Sequence, residues 1–294
     1  MVFDNAYEAL GEYTDDAHWA FGTGFDEPLA GVDTTLPADV DGADLAAYCL
    51  MLGDDALIMS HRLQQWCTNA PELEDEVALA NIGLDLIGQA RLLFARAGKA
   101  DGSERGEDHY AFFREEREFR NVRLVETPNG DFGYSMARLL VFATWRLALL
   151  HRLTTSADQV LAAIAAKGVK EVTYHRDYAA QWVIRLGDGT EESARRMQAG
   201  LDAVWPLVDE LFVRHEIEHR LCEVEVAVDP AGLRAEFDAV LQEVIATALL
   251  RLPEVGALAG VSGRTGRDGV HTESFGFVIA ELQSVARANP EATW

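Results

Sequence analysis

The chain has 294 residues, 49% of them hydrophobic, enough for one large domain with a sizeable core. Its formal net charge of −24 excludes a nucleic-acid or anionic-membrane surface as the binding partner. No uninterrupted apolar run reaches the ~18 residues of a membrane span, and Met1–Ala20 carries acidic but no basic residues, unlike a signal peptide, so the expected compartment is the cytoplasm.

Residues 1–45 read as an acidic N-terminal extension. They hold Asp and Glu but no Lys or Arg, and Gly22, Gly24, Pro28, Gly31 and Pro37 interrupt them. The helical domain is expected over 46–294. Apolar spacing at Leu50, Leu57, Ile58 and Leu63 predicts a first helix from about Ala46 to Cys67. After Thr68–Pro71 a second runs over Glu72–Gly98, acidic at its start and closed by Arg91, Arg96, Gly98 and Lys99. Its apolar residues point almost all round, which predicts burial, and Asn81, Asp85 and Gln89 form a polar stripe that must find partners inside.

The charged segment Glu107–Leu124 is expected as a further helix with one aromatic edge. Asp131 is placed to cap a helix over Phe132–Leu153, and Ser156-Ala157-Asp158 to cap one reaching about Leu186. Gly187-Asp188-Gly189 ends that helix, and Thr190-Glu191-Glu192 starts another that extends toward Phe212 with a break at Pro206. Leu221–Val228 alternates like a strand but has no partner, so it reads as a loop. Helices from Pro230 to about Leu252 and from Thr272 to Ala288 follow, separated by a glycine-rich loop. The sum is an all-α bundle.

Inward carboxylates on long helices raise the question of a di-iron site, which needs a Glu from each of two helices and a Glu-x-x-His from each of two others. Asp85 has Gly88 where the histidine should be. Glu171 and His175 are one residue too far apart, and Glu216 with His219 has the spacing but no twin. Asp54 and Asp55 face inward in the first helix. Asp55, Asp85, Glu171 and His175 are therefore an incomplete, vestigial metal set, expected to hydrogen-bond one another or a nearby arginine. Cys49, Cys67 and Cys222 lack metal spacing and read as reduced thiols. Of 25 basic residues only Lys99, Lys167 and Lys170 are lysines, and with 49 acidic residues this suggests a protein suited to high salt.

Several stretches resemble the PaaC family of phenylacetyl-CoA 1,2-epoxidase subunits. They are Trp66-Cys67, Ala70–Glu74, Ala78–Arg91, Glu115–Phe119, Leu124–Glu126 with Pro128-Asn129-Gly130, Lys170-Glu171 with Tyr174-His175, Arg185–Thr190 and Gly269–Glu273. The likeness runs from about Ala46 to Trp294. It implies a ferritin-like bundle with additional C-terminal helices and a place in aerobic phenylacetate breakdown. It implies a non-catalytic subunit without a cofactor of its own, partnered by a PaaA-type subunit that holds the di-iron centre. It also implies two segments near the CoA substrate: Glu118-Phe119-Arg120-Asn121 and, by ungapped position, His219-Arg220-Leu221. Arg117, Arg120 and Arg123 would supply charge for CoA phosphates. The competing readings are a di-iron oxygenase active in its own right and a helical interaction protein unrelated to CoA.

Overall fold

Asp41 begins the helical body. Its carboxylate accepts from the Ala43 and Asp44 N–H groups at 2.8 and 3.3 Å, so helix α1 (Gly42–Gln64) starts inside the stretch read as an extension. The computed structural model describes residues 31–258 and 262–292, and the acidic stretch 1–30 lies outside the described residues.

A short turn joins α1 to α2 (Leu73–Ala100), and the two form an antiparallel hairpin. A second hairpin pairs α4 (Phe132–Leu153) with α5 (Gln159–Gly187). Both of its helices start where expected: Asp131 accepts from the Tyr134 N–H at 2.9 Å, and Asp158 from the Leu161 N–H at 2.8 Å. Residues 101–131 cross between the hairpins. Two helical hairpins with one long crossover make the ferritin-like bundle, and the described residues contain no β-strand.

The helix buried all round is α4, not α2. Every residue from Ser135 to Leu150 is buried, with Trp145 and Phe142 at the centre. Each such large apolar side chain contributes about 1.5–3 kcal/mol over its exposed state. Helix α2 covers α1 with one side but leaves Leu73, Val77 and Leu84 open to solvent. It is the one helix among the described residues long and apolar enough, by length and composition, to cross a membrane. Of the polar stripe expected to find partners inside, Gln89 and Asp85 bond to Glu171 and His175 of α5, but Asn81 faces solvent because that side of α2 is uncovered. Asp75 Oδ1, outside the stripe, accepts from Tyr178 Oη at 2.8 Å and Trp182 Nε1 at 3.0 Å, also on α5.

The crossover departs from the expected helix over Glu107–Leu124. Helix α3 spans only Glu107–Phe112, followed by 3-10 turns at Glu116–Glu118 and Arg123–Glu126. The cause is a competing set of acceptors. The backbone N–H groups of Arg120 and Val122 donate to the Asp54 and Asp55 carboxylates of α1 at 2.9 and 2.8 Å instead of to helical carbonyls.

Beyond α5, α6 (Glu191–Val204) stops at Trp205-Pro206, and 3-10 turns carry the chain to Phe212. Helix α7 (Glu216–Glu223) takes in the first residues of the expected Leu221–Val228 loop. A 3-10 turn at Pro230–Leu233 precedes α8 (Arg234–Thr247), which ends earlier than the sequence suggests because Leu249 turns left-handed at φ +56°. After a 3-10 turn at Gly266–Asp268, α9 (Glu273–Ala288) packs on α3 and α1.

Candidate functional site

The two carboxylates of α1 organise the site. Asp54 and Asp55 are fully buried and, being adjacent, point to different neighbours. Asp54 binds both terminal nitrogens of Arg114, Nη1 at 3.1 Å. Asp55 is forked by Arg267, Nη1 to Oδ1 at 3.0 Å and Nη2 to Oδ2 at 2.8 Å. Such bidentate pairs fix orientation as well as charge. Arg267 Nη1 further donates to the carbonyls of Met51 at 3.0 Å and Arg120 at 2.8 Å. Burial raises the Asp54 carboxyl above its ordinary range, and the Arg114 guanidinium pulls it back. The same guanidinium lies over the Phe119 ring, 4.0 Å from its centroid.

Glu126 closes the clamp. Its Oε1 accepts from Asn121 Nδ2 at 2.9 Å and lies 2.6 Å from His271 Nδ1, and its Oε2 accepts from the Thr272 N–H at 2.7 Å. His271 Nε2 donates to the Phe119 carbonyl at 3.1 Å. The imidazole ring is thereby held at both nitrogens, between the Glu126 carboxylate and the Phe119 backbone. Gly269, at φ +72°, permits the close approach of this loop, since a Cβ there would stand 2.3 Å from the Arg117 carbonyl oxygen. Glu210 ties in the remaining segments, accepting from Arg123 Nε at 3.0 Å and from the Gly266 N–H at 2.9 Å. Outside the clamp lies a cleft of about 480 Å³ whose walls include Glu116, Arg117, Arg264, Asp268 and His271.

The residues expected beside a CoA substrate divide sharply. Glu118 is exposed and accepts from the Glu115 N–H at 2.6 Å. Phe119 and Asn121 are fully buried and hold the segment's own backbone. Arg120 is half-buried and donates to the Arg267 carbonyl at 2.9 Å. Arg123 is spent on Glu210. Of the three arginines expected to share the anionic role, Arg117 alone lines the cleft, and its companion there is Arg264, which sequence reasoning missed.

The second segment sits apart from the cleft. His219 is exposed, 3.8 Å from Glu223, Arg220 forks on Asp44 with two contacts of 2.6 Å, and Leu221 is in the core. Helix α7 reaches the cleft by its other end, where His215 Nε2 lies 3.5 Å from Asp268.

The bundle centre does not fit two metal ions. Asp55 is saturated by Arg267 and the Val122 N–H. Asp85 pairs with His175 at 2.9 Å. Glu171 accepts from Gln89 Nε2 at 2.8 Å, and Gln89 Oε1 in turn accepts from Arg146 Nε at 2.9 Å. The four candidate ligands thus belong to three separate networks, and no three His, Cys, Asp or Glu side chains among the described residues converge as a metal cage. The fully buried Arg146 supplies positive charge between α1, α2 and α4. Burial pushes its guanidinium down to about 10 and Asp55 opposes that shift. Asp85 and His175 pair with each other as expected, whereas Glu171 is taken by the Gln89 amide and by Lys167 Nζ at 3.4 Å instead of by an arginine.

Sequence reasoning did not find Arg114, Arg146, Arg267, Glu210 or Arg264. No spacing rule joins Asp55 to Arg267, 212 positions away. The one available signal was the pair of short motifs holding Glu126 and His271.

Comparison with known proteins accords with this architecture. A family model described as phenylacetic acid catabolic protein matches residues 31–294. A curated relative from Escherichia coli (strain K12), the PaaC component of 1,2-phenylacetyl-CoA epoxidase, is 45% identical over 251 residues, 85% of this chain and 99% of the relative. The chain belongs to the phenylacetic acid catabolic protein family.

Proposed function

We propose that the chain is a non-catalytic subunit of a multicomponent phenylacetyl-CoA 1,2-epoxidase of aerobic phenylacetate breakdown. In this reading it keeps a PaaA-type catalytic subunit of the same family folded and helps shape its CoA-thioester pocket. The observation that carries it is the filled bundle centre: a ferritin-like scaffold in which Asp55 is spent on Arg267, Glu171 on the Gln89 amide, and Asp85 and His175 on each other, in a chain 45% identical to a protein named as one component of that epoxidase. The di-iron centre belongs to the partner subunit, and no cofactor is assigned to this chain.

The cleft lined by Arg117 supports a substrate-shaping role. Arg117 and Arg264 offer two guanidinium groups at its wall, suited to phosphate oxygens of a CoA moiety in a protein otherwise rich in carboxylates. Glu118 and Arg120 follow Arg117 along the chain, and the Arg120 N–H is tied to the buried Asp54 at 2.9 Å. The compartment proposed is the cytoplasm, in keeping with the three free cysteines.

Purification of the chain with and without the PaaA-type subunit tests the reading. Expected are negligible iron in the chain alone and oxygen-dependent phenylacetyl-CoA consumption only by the complex. About two irons per chain, with turnover by the chain alone, overturns it and makes Asp55, Asp85, Glu171 and His175 ligands. Within the complex, Arg117→Ala with Arg264→Ala should raise KM for phenylacetyl-CoA. Unchanged kinetics would remove the cleft from the substrate pocket.

A further inference from the structure

His215 is bonded unlike the chain's other histidines. His61, His175 and His271 each place a ring nitrogen against a carboxylate. His215, alone among the described residues, accepts a backbone amide through its ring. The Ile217 N–H donates to Nδ1 at 3.2 Å and so caps α7. A nitrogen that accepts carries no proton, and the neutral ring therefore holds its one proton on Nε2.

On the other side of the ring, Nε2 lies 3.5 Å from Asp268 Oδ1. The second oxygen of Asp268 serves its own turn, Oδ2 accepting from the Thr265 N–H at 2.8 Å, and the Asp268 carbonyl accepts from Arg264 Nη2 at 2.9 Å. Behind this turn, Arg267 anchors it on Asp55. Asp268 and Arg264 both line the cleft. One imidazole thus bridges the first turn of α7 and the cleft wall.

Protonation sets these two contacts against each other. An imidazolium carries N–H on both nitrogens. Its Nδ1–H would face the Ile217 N–H, so the cap is lost, while its charge strengthens the attraction to Asp268. The charged groups around the ring are Asp268 and Arg267 from the 3-10 turn, Arg120 from the crossover, Asp44 from α1 and Glu218 from α7 itself. Glu218 keeps its hold on the His215 N–H at 2.8 Å, which confines the release to the first turn. The ring is 19% exposed, so protons from solvent reach it. Burial holds it below its ordinary value of 6.5, with Asp268 drawing it upward and Arg120 and Arg267 downward. Because the folded value lies below the unfolded one, the cap is intact at neutral pH and is lost as pH falls through the folded value.

We propose that His215 is a proton-operated latch: neutral, it fastens α7 to the Arg264–Asp268 wall of the cleft; protonated, it releases the Ile217 amide and turns wholly to Asp268. Acidification thereby frees the first turn of α7 and offsets the Asp268 charge at the cleft wall, leaving Arg117 and Arg264 less opposed there. NMR of the full chain with isotope-labelled histidine and backbone amides tests it. His215→Asn identifies the His215 signals and is the control, since asparagine caps a helix and takes up no proton. In alkaline buffer His215 should be the Nε2–H tautomer. On acidification the exchange protection of the Ile217 amide, taken relative to its intrinsic rate, should fall about fivefold in step with the His215 titration, the factor that a typical N-cap represents. In His215→Asn it should stay level, and in Asp268→Asn His215 should titrate at lower pH. An Nδ1–H tautomer in alkaline buffer overturns the proposal, as does Ile217 protection that ignores the titration or falls equally in His215→Asn. A His215 midpoint unmoved by Asp268→Asn would sever the latch from the cleft and overturn it as well.

Discussion

Seven of the chain's arginines, at 62, 96, 114, 123, 138, 146 and 267, are buried, and none of its three lysines is. The skewed basic composition thus has an interior cause. A planar guanidinium spreads its charge over several donors and forks onto a carboxylate, so it tolerates burial that an ammonium does not. Asp55 and Arg267 give the cleanest test. Removing one partner of a buried ion pair leaves an uncompensated charge, and Asp55→Leu or Arg267→Met should each cost about 3–5 kcal/mol in denaturant unfolding. The double variant should recover most of that loss, since it buries no charge. Additive costs in the double-mutant cycle would show that the two side chains do not depend on each other. At this scale the sequence was least informative. It marked Asp54, Asp55 and Arg120 as inward or charged, but a buried partner is defined by three-dimensional proximity.

Helix α7 shows how an element's end couples to that buried network. His215 caps it, and Glu218 reaches back to the His215 N–H at 2.8 Å in a reciprocal capping box. Burial holds the Glu218 carboxyl above its ordinary value of 4.5, with Arg267 acting in the opposite direction. Because the folded value exceeds the unfolded one, Glu218 contributes its stability below the unfolded value and loses it as pH rises through the folded value. Gln at 218 keeps the cap and cannot ionise. Glu218→Gln should therefore match the parent chain near pH 4 and be more stable near pH 7, both read from thermal melts; His215, common to both proteins, largely cancels in the difference. Parallel curves would mean that Arg267 offsets the burial completely. Capping was the part of the fold that local sequence revealed best: Asp131 and Asp158 start α4 and α5 as their positions suggest, because an N-cap depends on its own next three residues. The crossover was misread for the converse reason. Nothing local in Glu107–Leu124 tells that its amides are claimed by carboxylates of a helix some sixty residues earlier. Helix α2 was misread too: its apolar residues point all round, yet Leu73, Val77 and Leu84 are exposed, since the pattern of one helix does not tell how many neighbours the chain supplies to cover it.

For the whole molecule, charge is distributed so that salt acts on one population and spares another. The pairs Asp54–Arg114, Asp55–Arg267 and Arg96–Asp158 are shut away from ions, whereas most of the acidic side chains among the described residues face solvent, with only three lysines in the chain to balance them. Between about 0.1 M and about 1 M salt the screening length falls from about 10 Å to about 3 Å, enough to remove repulsion between neighbouring surface carboxylates while leaving buried pairs unchanged. The folded chain holds those carboxylates closer together than the unfolded one, so screening favours the folded state. The melting temperature should rise across that range, and the rise should shrink when exposed acidic residues such as Glu74, Asp108 and Asp177 are changed to Asn or Gln. Asp55→Leu with Arg267→Met should leave the salt slope as it was. A melting temperature indifferent to salt would mean that the surface repulsion is already relieved by exposed arginines such as Arg195 and Arg196, which share Glu192 at 2.8 and 2.6 Å. A slope that steepened with loss of the buried pair would place solvent ions inside the clamp, where the closed geometry of Asp55 and Arg267 leaves them no room.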